Sequence, residues 1–197
     1  MTTTNKVPHP IYIITGANGF LGNNIVRKLV ENPNNQVRAL FSSPNRANAL
    51  QGLNCEIFAG DVANPETLNQ IFDIPKGSTT YVIHCAAIVY IKSKPNPEVY
   101  KVNILGTKNI IGQTFKNDAK TIDVNSVHAI PELPNNAQMS EIGQFDSNKV
   151  EGEYAKSKAE AARLVLDAVK NRGLGTCIVY LLALSAPMIL RSAISLS

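Results

Sequence analysis

The sequence predicts a doubly wound α/β fold, with one parallel sheet and helices on both faces. Three observations carry that expectation. Apolar runs and helical patterns alternate from residue 11 to residue 180, and such alternation favours parallel strands joined by right-handed helical crossovers. The first apolar run, Ile11-Tyr12-Ile13-Ile14-Thr15, passes into Gly16-Ala17-Asn18-Gly19-Phe20-Leu21-Gly22, three glycines spaced G-x-x-G-x-x-G ahead of a helical pattern. A length of 197 residues, 44% hydrophobic and 17% charged, suits one globular domain with a substantial core.

Each element has its own signal. Residues 1–10 read as a flexible arm, because Pro8 and Pro10 fix φ and remove hydrogen-bond donors. Ile11–Thr15 is expected as the first strand. Phe20 to Glu31 follows as a helix, with Leu21, Ile25 and Leu29 stacked on one face, and Asn32-Pro33-Asn34-Asn35 ends it. Gln36–Phe41 is the second strand, and Ser42-Ser43-Pro44-Asn45 a turn able to cap a short helix through Leu50. Cys55–Ala59 is the third strand, followed by Gly60-Asp61-Val62. A helix then opens at Asn64-Pro65-Glu66, where proline is tolerated at the first position. Thr80–Ala87 reads as the fourth strand, Tyr90 to Pro97 as an interrupted stretch, Glu98 to Lys116 as a long helix and Thr121–Ser126 as the fifth strand. Pro131 to Lys149 is polar and aperiodic, the mark of a functional loop. Val150 to Arg172 is the clearest helix, with Tyr154, Lys158, Ala162, Val165 and Val169 on one face and Gly173-Leu174-Gly175 as its stop. Thr176–Tyr180 is the sixth strand.

Composition excludes several classes of function. The net charge is +4, but the lysines and arginines are scattered, with no basic run and no basic stripe interleaved with aromatics. Nucleic acid is therefore not an expected partner. Cys55, Cys85 and Cys177 each lie in an apolar run and are expected as buried, reduced thiols. Their odd number and the lack of a C-x-x-C pair argue against a disulfide framework or a zinc site, so no metal is expected. Met1 to Pro10 lacks the apolar core of a signal peptide, which makes the cytoplasm the default location. Gly173 to Leu190 carries no charge, but Pro187, Ser185 and two glycines weaken a spanning helix, so no membrane partner is expected.

The glycine turn has a physical purpose. A helix N-terminus carries unpaired N–H groups and a partial positive charge, which attract a pyrophosphate. Glycines let the backbone approach the anion without a Cβ in between. Thr15, Gly16, Asn18, Gly19, Phe20, Leu21 and Gly22 are thus candidates for holding a dinucleotide, and the mildly positive net charge suits one. The end of the second strand lacks the acid that commonly holds an NAD ribose. Ser42, Ser43, Asn45 and Arg46 can instead meet a 2′-phosphate, so NADP is favoured over NAD; the alternative is that Arg38 and Arg46 are ordinary solvated side chains. Asp61 falls at the sheet edge and can accept from an adenine amino group, or it is simply a turn aspartate. Tyr154 and Lys158 are four residues apart and share a helix face. Phenol has an ordinary pKa of about 10, and a neighbouring ammonium is expected to draw it down towards working pH.

These motifs resemble the extended short-chain dehydrogenase/reductase family, in its NAD(P)-dependent epimerase/dehydratase and dihydroflavonol-reductase-like branch. Thr15 to Gly22 looks like its cofactor loop and Gly60-Asp61-Val62 like its adenine-contacting turn. His84-Cys85-Ala86-Ala87 resembles the fourth-strand motif beside the nicotinamide ribose, and Val102-Asn103-Ile104-Leu105-Gly106-Thr107 the helix motif whose Asn supports a proton relay. Asn125-Ser126-Val127-His128 occupies the serine motif, and Tyr154 with Lys158 the catalytic pair. The resemblance implies a Rossmann-type sheet and a dinucleotide-dependent reaction on a small hydroxy or carbonyl substrate, and leaves a homodimer open. It assigns Tyr154 to proton transfer, Lys158 to the ribose and the phenol, Ser126 to the substrate oxygen and Asn103 to the relay. Asp61, Val62, Cys85, Ala86 and Ala87 join the cofactor set. Asn125 and Val127 depart from the family's consecutive serines, which leaves open which position orients the substrate. His84 and His128 are read as structural.

After Tyr180 the resemblance is expected to stop. The family would continue with a peptide such as Tyr-Pro-Ser-Gly-Ile-Ile-Gly-Pro-Tyr-Asp-Phe and then a substrate lobe. This chain reads Leu181-Leu182-Ala183-Leu184-Ser185-Ala186-Pro187-Met188-Ile189-Leu190-Arg191. With codons chosen to fit, deleting one C from the proline codon of the family peptide yields these residues in the shifted frame. Residues 181–197 are therefore expected to be an aberrant tail and the substrate lobe to be largely missing, which the nucleotide sequence of the gene would test. Three roles stay open: an oxidoreductase, epimerase or dehydratase; a dinucleotide-binding remnant without turnover; and a redox-sensing regulator, against which the intact Tyr154 and Lys158 argue.

Overall fold

The computed structural model describes residues 9–42, 48–92, 94–134, 137 and 139–182. Six strands form one sheet: β1 (Ile11–Thr15), β2 (Gln36–Phe41), β3 (Glu56–Ala59), β4 (Thr80–His84), β5 (Lys120–Ser126) and β6 (Thr176–Leu181). All pairings are parallel, in the order β3-β2-β1-β4-β5-β6. This is the Rossmann-type order, and its reversal between β1 and β4 opens a crevice at the carboxyl edge of the sheet.

The strands read as continuous apolar runs because both faces are covered. Ile11, Ile13, Leu40 and Val82 pack on one face with Leu68, Ile71, Phe72 and Ile110. Ile14, Val37, Ala39 and Ile83 pack on the other with Val26, Ile25 and Leu29 of α1 (Phe20–Val30). Each fully buried Ile, Leu or Val contributes about 1.5–3 kcal/mol relative to exposure. A third cluster joins Ala155, Ala159 and Ala162 of the C-terminal helix to Ala129, Ile130, Phe145 and Val150.

Several expected elements change form. The helix predicted after β3 is a single 3-10 turn, Pro65–Leu68, whose Asn64 side chain accepts from the Glu66 N–H. Pro75 and Gly77 stop any longer helix before β4, while Ile71 and Phe72 fill the core from irregular backbone. β4 ends at His84 rather than Ala87, because its neighbour β1 ends at Thr15. The long helix is continuous in path but mixed in winding: α2 (Pro97–Tyr100), a π segment (Lys101–Leu105) and α3 (Gly106–Lys116). At Gly106 an added Cβ would lie 2.7 Å from the Val62 side chain, so glycine lets this helix sit on the turn after β3. The last helix, α4, spans Glu153–Arg172 and closes on Gly173 in the left-handed conformation (φ 68°). Its Tyr154 is half-buried while Lys158, Ala162 and Val165 are buried.

Two expectations about side chains need correction. Cys177 is exposed, because β6 is an edge strand with one face open, and Cys55 and Cys85 are only partly buried; all three are free thiols. Arg38 is not a solvated surface group. It donates to the carbonyls of Ile71 (2.9 Å) and Asp73 (2.8 Å) and sits over the Phe58 ring, tying β2 to the crossover before β4. Most of the N-terminal arm, the turn residues Ser43, Pro44, Asn45 and Arg46, and the tail from residue 183 lie outside the described residues. Among the described residues no helix is long and apolar enough to cross a membrane, and no group of side chains could hold a metal ion.

Candidate active site

Two adjoining cavities occupy the carboxyl edge of the sheet. The first, of about 430 Å³, is bounded by Gly16, Asn18 and Gly19 of the glycine turn, by Ser42, and by Asp61 and Val62 after β3. Cys85, Ala86 and Ala87 after β4 complete it. The turn is built for close approach. Gly16 has φ 64°, and a Cβ there would lie 2.9 Å from the Ala86 backbone. A Cβ on Gly22 would collide with the Gly16 carbonyl oxygen. Gly19 caps α1 without a side-chain hydrogen bond, and no acid lies in the first turn, so the positive end of the helix faces the groove unneutralised.

The predicted loop residues divide by role. Gly16, Asn18 and Gly19 line the groove, Leu21 lines the neighbouring cavity, and Gly22 is buried against the turn. Phe20 opens α1 and is partly exposed. Thr15 is fully buried and acts on the backbone instead, accepting from the Ala86 N–H at 3.1 Å. Sequence reading missed Leu40, Phe41, Ile88 and Val102 as lining residues. For Leu40 and Phe41 the available signal was position, since the strand ends at this edge face the crevice. Asp61 is held firmly: its Oδ1 accepts from the Ala63 N–H at 2.9 Å, and its backbone N–H donates to Thr67 Oγ1 at 3.0 Å.

Beneath the groove a buried chain of hydrogen bonds fixes the exit of β4. Thr107 Oγ1 donates to the Asn103 carbonyl at 2.7 Å, so it accepts from His84 Nε2 at 3.2 Å. The other ring nitrogen, Nδ1, then accepts from Thr15 Oγ1 at 2.7 Å. The imidazole is thus neutral with its proton on Nε2, and burial lowers its pKa to about 4. This agrees with the structural role expected of His84. Asn103 is buried in the π segment and works as a clamp. Its Oδ1 accepts from the Ile88 N–H (2.8 Å), while its Nδ2 donates to the Ile88 carbonyl (3.0 Å) and to Ser157 Oγ (2.9 Å). Ser157 in turn donates to the Tyr154 carbonyl at 2.7 Å. A winding of i→i+5 is a frequent device for turning a side chain inward at such a place.

The second cavity, of about 310 Å³, brings together Ser126, Tyr154 and Lys158, the three residues singled out for proton chemistry. Cys85 and Ala87 belong to both cavities, so the two form one trough. The Ser126 hydroxyl faces the Tyr154 phenol and favours its ionisation, but burial is the larger effect and raises the phenol pKa. The expected downward pull from Lys158 is corrected here. Its Nζ donates to the Val124 carbonyl at 2.8 Å, and burial lowers its own pKa against the opposing charge of Asp123. The Asn125 side chain is fully engaged: Oδ1 accepts from the Ser126 N–H at 2.8 Å, and Nδ2 donates to Asp123 Oδ2 and to the Lys158 carbonyl, both at 3.2 Å. Of the serine-motif residues, Ser126 presents the hydroxyl beside Tyr154. His128 stands edge-on to the Tyr154 ring, with centroids 6.3 Å apart. Burial holds the Cys85 thiol protonated, with a pKa pushed up to about 12.

The chain is similar to several known proteins. The model of the 3-beta hydroxysteroid dehydrogenase/isomerase family matches residues 13–189, running past the point at which the sequence reading ended the resemblance. A protein of Synechocystis sp., described provisionally as a dihydroflavonol 4-reductase, is 32% identical over 161 residues, covering 81% of this chain and 45% of that protein. The UDP-glucose 4-epimerase of Vibrio cholerae is 27% identical over 188 residues, covering 90% of this chain and 52% of the epimerase. The chain spans about half the length of these relatives. Among solved structures, dTDP-glucose 4,6-dehydratase from Bacillus anthracis in complex with NAD superposes with a TM-score of 0.69 at 19% identity, over 85% of this chain and 53% of that one. That likeness is one of fold.

Proposed function

The chain belongs to the 3-beta hydroxysteroid dehydrogenase/isomerase family, and from that premise we propose that it is an NAD(P)-dependent oxidoreductase of extended short-chain dehydrogenase type. The observation that carries this reading is the convergence of Ser126, Tyr154 and Lys158 on a cavity that shares the Cys85–Ala87 wall with the glycine-lined groove.

The groove fits a dinucleotide, because it opens on the N-terminus of α1, where Gly19 puts no side chain in the way and the first turn carries no acid. Gly16, Asn18 and Gly19 would hold the pyrophosphate at the N-terminus of α1, with Asp61 and Val62 near the adenine and Lys158 near the nicotinamide ribose. Ser42 and Arg46, together with the absence of an acid at the end of β2, favour NADP over NAD. When bound, the dinucleotide donates or accepts hydride. Ser126 holds the substrate oxygen through its hydroxyl. Tyr154 passes a proton to that oxygen in reduction or takes it in oxidation. Its raised pKa leaves the phenol protonated at neutral pH, which suits the acid role and hence carbonyl reduction. Asn103 holds the Ile88 backbone and, through Ser157, the first turn of α4, so that the phenol keeps its place. Leu21, Val89, Val124, Leu181 and Leu182 give the second cavity a carbon-rich wall, which favours an apolar hydroxy or carbonyl compound over a nucleotide sugar.

A second reading, dinucleotide binding without turnover, is favoured by the exposure of Val89, 68%, on the wall of the second cavity. Fluorescence titration with NADPH and NADH, followed by turnover on a panel of apolar ketones, separates the two. Enzyme action predicts binding together with turnover that falls by about 10²–10⁴-fold in Tyr154→Phe. Binding with no turnover in the native chain selects the second reading. Absence of binding to either nucleotide sinks both.

A further inference from the structure

Among the described residues, Asp123 is the only buried carboxylate, at 1% exposure, and Lys158 the only buried lysine or arginine, at 6%. The Asn125 amide joins the Asp123 carboxylate to the backbone of Lys158. Asn125 Nδ2 donates to Asp123 Oδ2 and to the Lys158 carbonyl, each at 3.2 Å. The Lys158 ammonium is anchored at 2.8 Å on the Val124 carbonyl, next in the chain to Asp123. Asp123 lies on β5. The strand is central, flanked by β4 and β6, and a buried unpaired carboxylate would be costly.

We infer that Asp123 is a positioning residue: it is the buried counter-charge that keeps the Lys158 side chain protonated and seated on the Val124 carbonyl. The inference rests on the proposed function in so far as Lys158 acts with Tyr154, but the charge pairing itself does not depend on turnover. Other groups facing the pair do not replace it. At the end of β4, His84 is neutral and bonded on both nitrogens, and the thiol of Cys85, just after the strand, is protonated. From α4, the Tyr154 phenol is raised by burial, and from β6 burial raises the Tyr180 phenol to about 12. Among these neighbours Asp123 is the only carboxylate. Burial drives Lys158 towards its neutral form, and the Asp123 charge is the largest effect opposing it.

The test is a direct titration of Lys158 in the full chain labelled with ¹³Cε-lysine, its signal identified by loss in Lys158→Met. The expected result is a midpoint about one pH unit or more lower in Asp123→Asn than in the native chain. An unchanged midpoint overturns the inference. Where turnover is measurable, the alkaline limb of its pH profile should move down by the same amount, a change that loss of packing alone would not produce. A shifted midpoint without turnover in either protein would leave the charge pairing standing and sink the enzymatic reading instead. Thermal melting of Asp123→Asn, Lys158→Met and the double variant gives a second measure. The pairing predicts a double variant that loses less than the sum of the singles, or that folds where Asp123→Asn alone does not. Additive losses, or a double variant as unfolded as the single, overturn it.

Discussion

Single residues set the precision of this site. The neutral His84 ring is oriented at both nitrogens by threonines that come from different elements, Thr15 at the end of β1 and Thr107 in α3. Replacing Thr107 by Val leaves the Nε2–H buried without an acceptor. The expected cost is about 1–3 kcal/mol, read as a lower midpoint in urea denaturation. Tyr154 and Lys158 were legible in the sequence, because a spacing of four residues places two side chains on one helix face whatever the tertiary context. The direction of the phenol pKa was not. It depends on how deeply α4 buries the ring and on where Lys158 Nζ finds an acceptor, and that acceptor is a β5 carbonyl.

At the level of elements, the junction of β1, the glycine turn and α1 is the most tightly determined part of the fold. Gly22 lies inside α1, yet its Cα sits against the Gly16 carbonyl oxygen. Gly22→Ala should therefore force α1 away from the turn. The methyl group meets backbone, which cannot rotate aside, so the loss should be about 1–3 kcal/mol despite the better helix propensity of alanine. NADPH titration should weaken in parallel, whereas an alanine at Gly112, which meets nothing within 4 Å, should leave binding unchanged. Apart from the end of β4, the strands were legible to within about one residue, because apolar runs bounded by Gly, Pro and Asn leave few alternatives. The crossover after β3 was not. Asn64-Pro65-Glu66 has the chemistry of a helix start, but Pro75 and Gly77 cut the segment short and core contacts hold Ile71 and Phe72 in irregular backbone. The π segment was equally invisible, since its Asn103 bonds to Ile88 and Ser157, which lie far from it along the chain.

For the whole molecule, the buried histidine makes stability depend on pH. The His84 pKa is near 6.5 when unfolded and about 4 when folded, so between these values the unfolded chain binds the proton more strongly. Stability from this group is complete above about pH 6.5, declines as pH falls, and is lost by about pH 4, a change on the order of 3 kcal/mol. Urea denaturation at a series of pH values should show that slope, and His84→Gln should flatten it. An unchanged slope in the variant would assign the pH dependence to other groups.

The sequence by itself determined the succession of strands and helices along the chain, the glycine-lined turn and the placing of Tyr154 and Lys158 on one helix face, because hydrophobic periodicity, turn chemistry and helical spacing are local properties of the chain. Only the tertiary structure decided that Cys177 faces out, that Arg38 ties a crossover, that Asn103 is a clamp, and that Asp123 and Lys158 are the two buried charges of the described chain. Each of those depends on which surfaces meet and on how much water the meeting removes, and no stretch of sequence carries that information alone.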